Sequence, residues 1–154
     1  EVIRELNRLK ICTDLSHLND KSFFGAIERA DYPIASHSNS REICPAPRNL
    51  TDEQLKLIGE KNGLIGLCFY PKFLGGNVFE KIYENICRLG NLGLENNIAI
   101  GSDFDGADMP PELSDISKVP DLYTYLEKRG ISAETLKKIF YENAQNYFDK
   151  LSGI

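Results

Sequence analysis

The sequence predicts an α/β fold built on a parallel sheet, and three observations carry that expectation. Short apolar segments ending in polar residues alternate with amphipathic segments of helical spacing, in four successive units. Parallel neighbours need crossover connections, which are usually helical, so this alternation implies a parallel sheet covered by helices. One segment, "GLIGLCFY" at residues 63–70, is a nearly continuous apolar run, as a strand covered on both faces requires. The polar residues of chemical interest follow the apolar segments directly, where βα loops begin.

The elements follow in order. "EVIRELNRLK" reads as an amphipathic helix with Val2, Ile3, Leu6 and Leu9 on one side. "KICTDLSH" is the first strand, and Asn19 is suited to cap a helix that carries Phe23, Phe24 and Ile27 on one face. "YPIASHS" is the second strand, with proline at its entrance, where a missing N–H does least harm. A loop, "NSREICPAPRN", leads to a helix opened by Thr51 and Gln54 as a capping box. After the third strand, Phe79, Ile82, Tyr83, Ile86 and Leu89 recur at helical spacing, with Gly90 or Gly93 as a stop. "NIAIGSDFDG" is the fourth strand. Two helices close the chain, one with Pro120 near its first turn and Gly130 at its end, the next capped by Ser132 and carrying Leu136, Ile139 and Phe140. Units of this size suit a doubly wound sheet or part of a (β/α) barrel, and periodicity leaves both open.

Composition narrows the function classes. With 154 residues, 42% apolar and 27% charged, the chain has the make-up of one globular domain with a real core. The net charge of -5 comes from 18 basic and 23 acidic residues interspersed along the chain, so no basic stripe exists to neutralise a phosphate backbone, and nucleic acid is not expected as a partner. No stretch approaches the ~20 apolar residues of a membrane span. Cys12, Cys44, Cys68 and Cys87 show no C-x-x-C spacing and read as reduced thiols, which leads us to expect a cytoplasmic location. Glu1 is not an initiator and no signal-peptide core follows it, so the sequence reads as starting within a longer protein.

The strand ends would line one rim: Asp14, Ser16 and His17 after the first, Ser36, His37 and Ser38 after the second, Ser102, Asp103 and Asp105 after the fourth. The only two histidines of the chain fall at adjacent strand ends, where two imidazoles can share a divalent ion although 20 residues separate them. A carboxylate beyond the ion can take and return protons. Against this, a lone histidine is ordinarily a satisfied loop or core residue, "DFDG" can be turn chemistry in which glycine supplies a positive φ, and Arg48 is by default a solvated loop arginine. No G-x-S-x-G elbow, G-x-x-x-x-G-K-[ST] loop or H-E-x-x-H helix is present.

Five segments, "RELNRLKICTDLSH", "PIASHSNSREIC", "PRNLTDEQL", "IAIGSDFDG" and "LSDISKVPDL", resemble in content and order the membrane (renal-type) dipeptidases, zinc peptidases built on a metal-dependent hydrolase barrel. The resemblance implies a (β/α) TIM-type barrel and hydrolysis of dipeptides by a hydroxide bridging two zinc ions. It implies that His17 and His37 bind one of those ions, that Asp103 handles the proton passing to the departing amine, and that Arg48 holds the substrate carboxylate. For Asp105 it implies no role. A complete barrel needs eight strands and about 250 residues. The chain offers four strands, which the resemblance places last, so residues 1–154 are expected to be the C-terminal half of the barrel. The H-x-D motif and the bridging glutamate of the family have no counterpart here, and the glycine and arginine expected around the asparagine of "FYENAQNYF" are absent. The half is therefore expected to be inactive alone and to associate with its N-terminal half or with a second copy of itself. Two further readings stay open: a non-catalytic half-barrel binding through Arg48 and its rim without metal, and a metal-free isomerase or lyase using Asp103 and a histidine as acid and base.

Overall fold

A computed structural model describes residues 1–153. Strands β1 (Thr13–Asp14), β2 (Pro33–Ala35), β3 (Leu64–Leu67) and β4 (Ile98–Ile100) form one parallel sheet in the order β1-β2-β3-β4. A doubly wound sheet reverses its strand order at a switch point, whereas a barrel adds each strand beside the last in one direction. The sequential order therefore decides for a barrel-type arc, with β1 and β4 at its two edges. Each strand is shorter than its apolar segment. Residues 68 and 69 continue the buried run beyond β3, where the Phe69 amide still donates to the Ser102 carbonyl while the Cys68 amide turns to Asn39.

One layer of the sheet faces the helices. Ala35, Ile65 and Ile98 stand side by side in register and are shut off from solvent, together with Leu15 at the end of β1. Onto this row pack Phe23 and Ile27 of α2 (Asp20–Ile27), Leu55 and Ile58 of α3 (Asp52–Glu60) and Ile82, Ile86 and Leu89 of α5 (Val78–Asn91). Asn19 caps α2 by accepting from the Ser22 amide, and Thr51 with Gln54 forms both halves of the capping box on α3. Phe24 departs from expectation: it is one residue, about 100°, off the Phe23–Ile27 stripe, and it stays 38% exposed, edge-on to Phe23. Helix α1 (Val2–Arg8) forms as expected, but its apolar side is uncovered. None of its residues is buried, Val2 is 73% exposed, and Ile3 alone of the expected stripe is packed against the core.

Two local features, a single-turn helix after β3 and a π-helical stretch near the end of the chain, were not foreseen. The single-turn helix, α4 (Pro71–Leu74), is started by proline and stopped by Gly75 at φ +78°. Helix α5 ends on Gly93, at φ +76°, rather than Gly90. After α6 (Val119–Lys128), the Ser132-capped α7 (Ala133–Lys137) passes through a π-helical stretch, Lys138–Glu142, into α8 (Asn143–Ser152). That passage sets Asn143, whose Nδ2 donates to the Glu95 and Ile98 carbonyls and ties the last helix to the entrance of β4.

The opposite layer is nearly bare of bulk where the strands end. Gly66 and Gly101 approach so closely that a Cβ on either would strike the Ser36 carbonyl. Any side chain there would push the end of β2 away. These glycines therefore fix the position of Ser36 and of the histidine that follows it.

Candidate functional site

His17 leaves β1 at φ +69°, in the left-handed region that an L-residue enters at a cost. That turn swings its ring toward His37, which follows β2, and the two Nε2 atoms stand 2.9 Å apart with ring centroids at 4.9 Å. The Asp14 carboxylate ties the two strand ends together. Its Oδ1 accepts from the Ser16 and Ser36 amides at 3.0 and 3.1 Å, and its Oδ2 accepts from the Ser36 hydroxyl at 2.5 Å. The same hydroxyl lies 2.7 Å from His37 Nδ1. Burial pushes the Asp14 carboxyl up, but the Ser36 hydroxyl, the two amides and nearby His37 outweigh it and hold the group below its ordinary range. Burial and the neighbouring Arg48 cation lower the His37 pKa, so the neutral ring is favoured.

Arg48 is not a solvated loop arginine. It is half-buried, donates to Ser38 Oγ and to the His37 carbonyl at 2.9 and 2.8 Å, and lies over the Phe73 ring at 5.6 Å. Its Nε finds no partner although it is buried. Burial lowers its pKa from the ordinary arginine value. The loop that carries it is held by three buried amides. Asn39 donates to the Cys68 and Phe73 carbonyls while accepting from the Cys68 amide, Asn49 donates to the Cys44 and Phe73 carbonyls, and Asn85 of α5 accepts from the Ser40 amide. Arg41 adds a fork onto Asp20.

Asp103 follows β4, also at φ +69°, with Oδ1 at 4.0 Å from His37 Nε2 and Oδ2 at 3.9 Å from Cys68 Sγ. The turn reading of "DFDG" is met in an inverted form: the aspartates 103 and 105 carry the positive φ, and Gly106 does not. Gly106 matters for a different reason, since a Cβ there would meet Asp103 Oδ1 and displace that carboxylate. Beside the imidazoles opens a cavity of about 520 Å3 bounded by His17, Tyr70, Phe73, Asp103, Asp105 and Asp108. The rim thus brings together all four residues singled out from sequence: His17, His37, Arg48 and Asp103.

Sequence reasoning missed the supporting set. Asn85 could have been found, because it is a polar residue on the Ile82–Ile86–Leu89 stripe of α5, where only a partnered amide belongs. Asn39 and Asn49 lie in a loop rich in polar residues and carried no distinguishing signal. Cys68 carried no signal beyond that of a reduced thiol; it is buried, which pushes its thiol up to about 11, and it touches Asp103.

The profile of the family described as "Membrane dipeptidase (Peptidase family M19)" matches residues 1–152. The chain belongs to this family. Among relatives, a Klebsiella pneumoniae protein known by its place in the pqqA 5′ region is 36% identical over 151 residues, covering 93% of this chain and 56% of that protein. An uncharacterized dipeptidase of Schizosaccharomyces pombe is 35% identical over 150 residues, 93% of this chain and 37% of its own length. A Rhodobacter sphaeroides metallopeptidase, crystallised with a phosphinate mimic of the dipeptide L-Ala-D-Ala, superposes with a TM-score of 0.91 at 34% identity, over 97% of this chain and 45% of that one. The chain spans about half the length, or less, of these three proteins.

The family implies a metal, and the donor set tests that implication. Zinc–nitrogen bonds of about 2.1 Å at tetrahedral angles separate two ligating nitrogens by about 3.4 Å. The Nε2 atoms, 2.9 Å apart, are about 0.5 Å nearer than that spacing, so the rings would have to part slightly to share an ion. Among the described residues, however, no group of three or more His, Cys, Asp or Glu side chains converges to hold an ion. The imidazole pair fits as two ligands of a larger set. No helix among the described residues is long and apolar enough to cross a membrane.

Proposed function

We propose that this chain is the C-terminal half of a zinc-dependent dipeptidase and supplies one side of its active site. The convergence of His17 and His37, with Asp103 4.0 Å beyond, carries the reading. His17 and His37 would hold one of two zinc ions, the remaining ligands coming from the N-terminal half. A metal held there would supply an activated water and polarise the scissile carbonyl. Asp103 would take up a proton and deliver it to the departing amine, a role that suits a carboxylate held 4.0 Å from the neutral-leaning His37 ring. Arg48 holds the substrate carboxylate. Its guanidinium is already oriented by Ser38 and the His37 carbonyl. A dipeptide carries that carboxylate at a fixed distance from its scissile bond, so one anchored fork favours dipeptides over longer chains. Tyr70 and Phe73 wall the cavity where a substrate side chain would lie.

The open edges of β1 and β4 and the uncovered side of α1 support association with an N-terminal half, or with a second copy, to complete the barrel. The four free cysteines support a reducing, cytoplasmic setting. A competing reading, a non-catalytic half-barrel that binds through Arg48 without metal, is favoured by the lack of a third converging ligand among the described residues. Zinc content of the purified chain, followed by dipeptide hydrolysis with and without a co-expressed N-terminal half, separates them. Zinc uptake with turnover restored by the second half supports the dipeptidase. A properly folded two-half complex that neither retains zinc nor cleaves dipeptides overturns it.

A further inference from the structure

We propose that Asp14 is a positioning residue: acting through the Ser36 hydroxyl, it locks His37 in the tautomer that carries hydrogen on Nδ1 and turns the Nε2 lone pair toward His17. The inference follows from counting hydrogens. An ionised carboxylate only accepts, and a serine hydroxyl has one hydrogen. At 2.5 Å from Asp14 Oδ2, the Ser36 hydroxyl spends that hydrogen on the carboxylate. Toward His37 Nδ1, 2.7 Å away, Ser36 Oγ then has only a lone pair to offer. The Nδ1 atom must therefore be the donor, and in a neutral ring the other nitrogen is left bare.

A second consequence falls on His17. Two bare nitrogens 2.9 Å apart repel, so in the metal-free chain His17 must donate from its own Nε2 into the lone pair of His37. The two histidines are thus held in opposite tautomers. For both to face a cation, the His17 hydrogen has to move from Nε2 to its Nδ1, exchanging through solvent, with no net change in protons. His37 needs no such change, because Asp14 and Ser36 have already set it. Asp14 also accepts from the Ser16 and Ser36 amides, so the group that sets the tautomer is the one that joins the two strand ends.

Asp14→Asn is the decisive variant. The side-chain oxygen can keep accepting from both amides, so the strand ends stay joined, but a donating NH2 replaces Oδ2. The Ser36 hydroxyl must then turn its hydrogen toward His37 Nδ1, which reverses the tautomer. The experiment is nitrogen-15 NMR of the imidazoles in the metal-free chain at about pH 8, well above the ordinary imidazole pKa. Bare and hydrogen-bearing ring nitrogens are widely separated in such spectra, and Ser36→Ala identifies the relay. The expected result is Nδ1–H for His37 and Nε2–H for His17 in the parent chain, with His37 reversed in Asp14→Asn and a mixture in Ser36→Ala. Nε2–H on His37 in the parent chain, or an unchanged tautomer in Asp14→Asn whose fold is intact by its amide spectrum, overturns the proposal. Asp14→Glu moves the carboxylate by one methylene and should restore part of the parent tautomer, which a purely structural role for Asp14 would not produce.

As a contribution to metal binding, the proposal rests on the reading that His17 and His37 are ligands. Zinc titration by calorimetry tests that separately. If the parent chain binds zinc, Asp14→Asn should weaken it ~10–100-fold, the usual effect of losing a ligand's hydrogen-bond partner. An unchanged affinity would overturn this role for Asp14. If the parent chain alone binds no zinc, the same titration is run on the complex with the N-terminal half, and a folded complex that binds none overturns the ligand reading, whereas the tautomer result stands or falls on the spectra alone.

Discussion

Asn39→Ala tests whether the Arg48 loop and the Asp103 side of the rim are organised by one buried amide. Asn39 is fully buried and makes three hydrogen bonds, two donated to the Cys68 and Phe73 carbonyls and one accepted from the Cys68 amide. Alanine leaves the buried Cys68 amide and carbonyl without these partners, while the Phe73 carbonyl keeps Asn49. At ~1–3 kcal/mol for each of the two orphaned buried groups, the loss comes to about 2–6 kcal/mol. With a urea m-value near 2 kcal/mol/M, the unfolding midpoint should fall by about 1–3 M. Asn39→Asp is the sharper control: it keeps an acceptor for the Cys68 amide but aims a carboxylate oxygen at two carbonyls, and it should destabilise at least as much. A loss below about 0.5 kcal/mol for Asn39→Ala, or parental stability for Asn39→Asp, would refute the claim that this amide organises the loop.

Further perturbations address other parts of the molecule. Arg41 and Gln54 depress the Asp20 carboxyl to about 2, below its unfolded value of ~3.9. Its contribution to stability is therefore present above the unfolded value and is lost as pH falls through about 2. The gap between parent and Asp20→Asn urea midpoints should hold from pH 7 to about 5 and close toward pH 2. Cys68, pushed up to about 11 and buried, should resist iodoacetamide at about pH 8 in the native chain and react in Asn39→Ala, as read by mass spectrometry. In a reconstituted dipeptidase, Asp103→Asn should lower kcat by ~10²–10⁴ with little change in KM. Arg48→Lys should instead raise KM by about tenfold or more, through loss of the forked, charge-assisted contact.

The four units and the rim were legible because each rests on a local rule: apolar runs for strands, Asn19 and Thr51 for helix starts, and histidines placed just past apolar runs. What was not legible depends on contacts between distant segments. Phe24 satisfies helical spacing almost as well as Phe23, and only the packing direction of α2 decides which one is buried. The stripe of α1 was readable, but its lack of cover was not. The choice between a doubly wound sheet and a barrel arc is a matter of strand order, which no single unit encodes. Asp14 and Ser36 stood among the rim residues without a role, because theirs arises only when β1 and β2 lie side by side and bring partners 22 residues apart into contact.

The rim also shows stability given up for placement, and a reversal in a familiar ranking can measure it. His17 and Asp103 both lie at φ +69°, where an ordinary L-residue pays roughly 1–2 kcal/mol and glycine pays none. At an unstrained position alanine is favoured over glycine by ~0.5–1 kcal/mol, because glycine loses more chain entropy on folding. His37 is not at positive φ, so His37→Ala should be more stable than His37→Gly. At position 17 the left-handed penalty on alanine exceeds the entropy cost of glycine, so His17→Gly should be more stable than His17→Ala by up to about 1.5 kcal/mol. All four variants remove an imidazole from the same pair, so lost side-chain contacts largely cancel within each comparison. Chemical denaturation of the four proteins reads the two differences directly. If the order at position 17 matches that at position 37, His17 is not held against its backbone preference, and the turn that brings its ring to His37 must be ascribed to another cause.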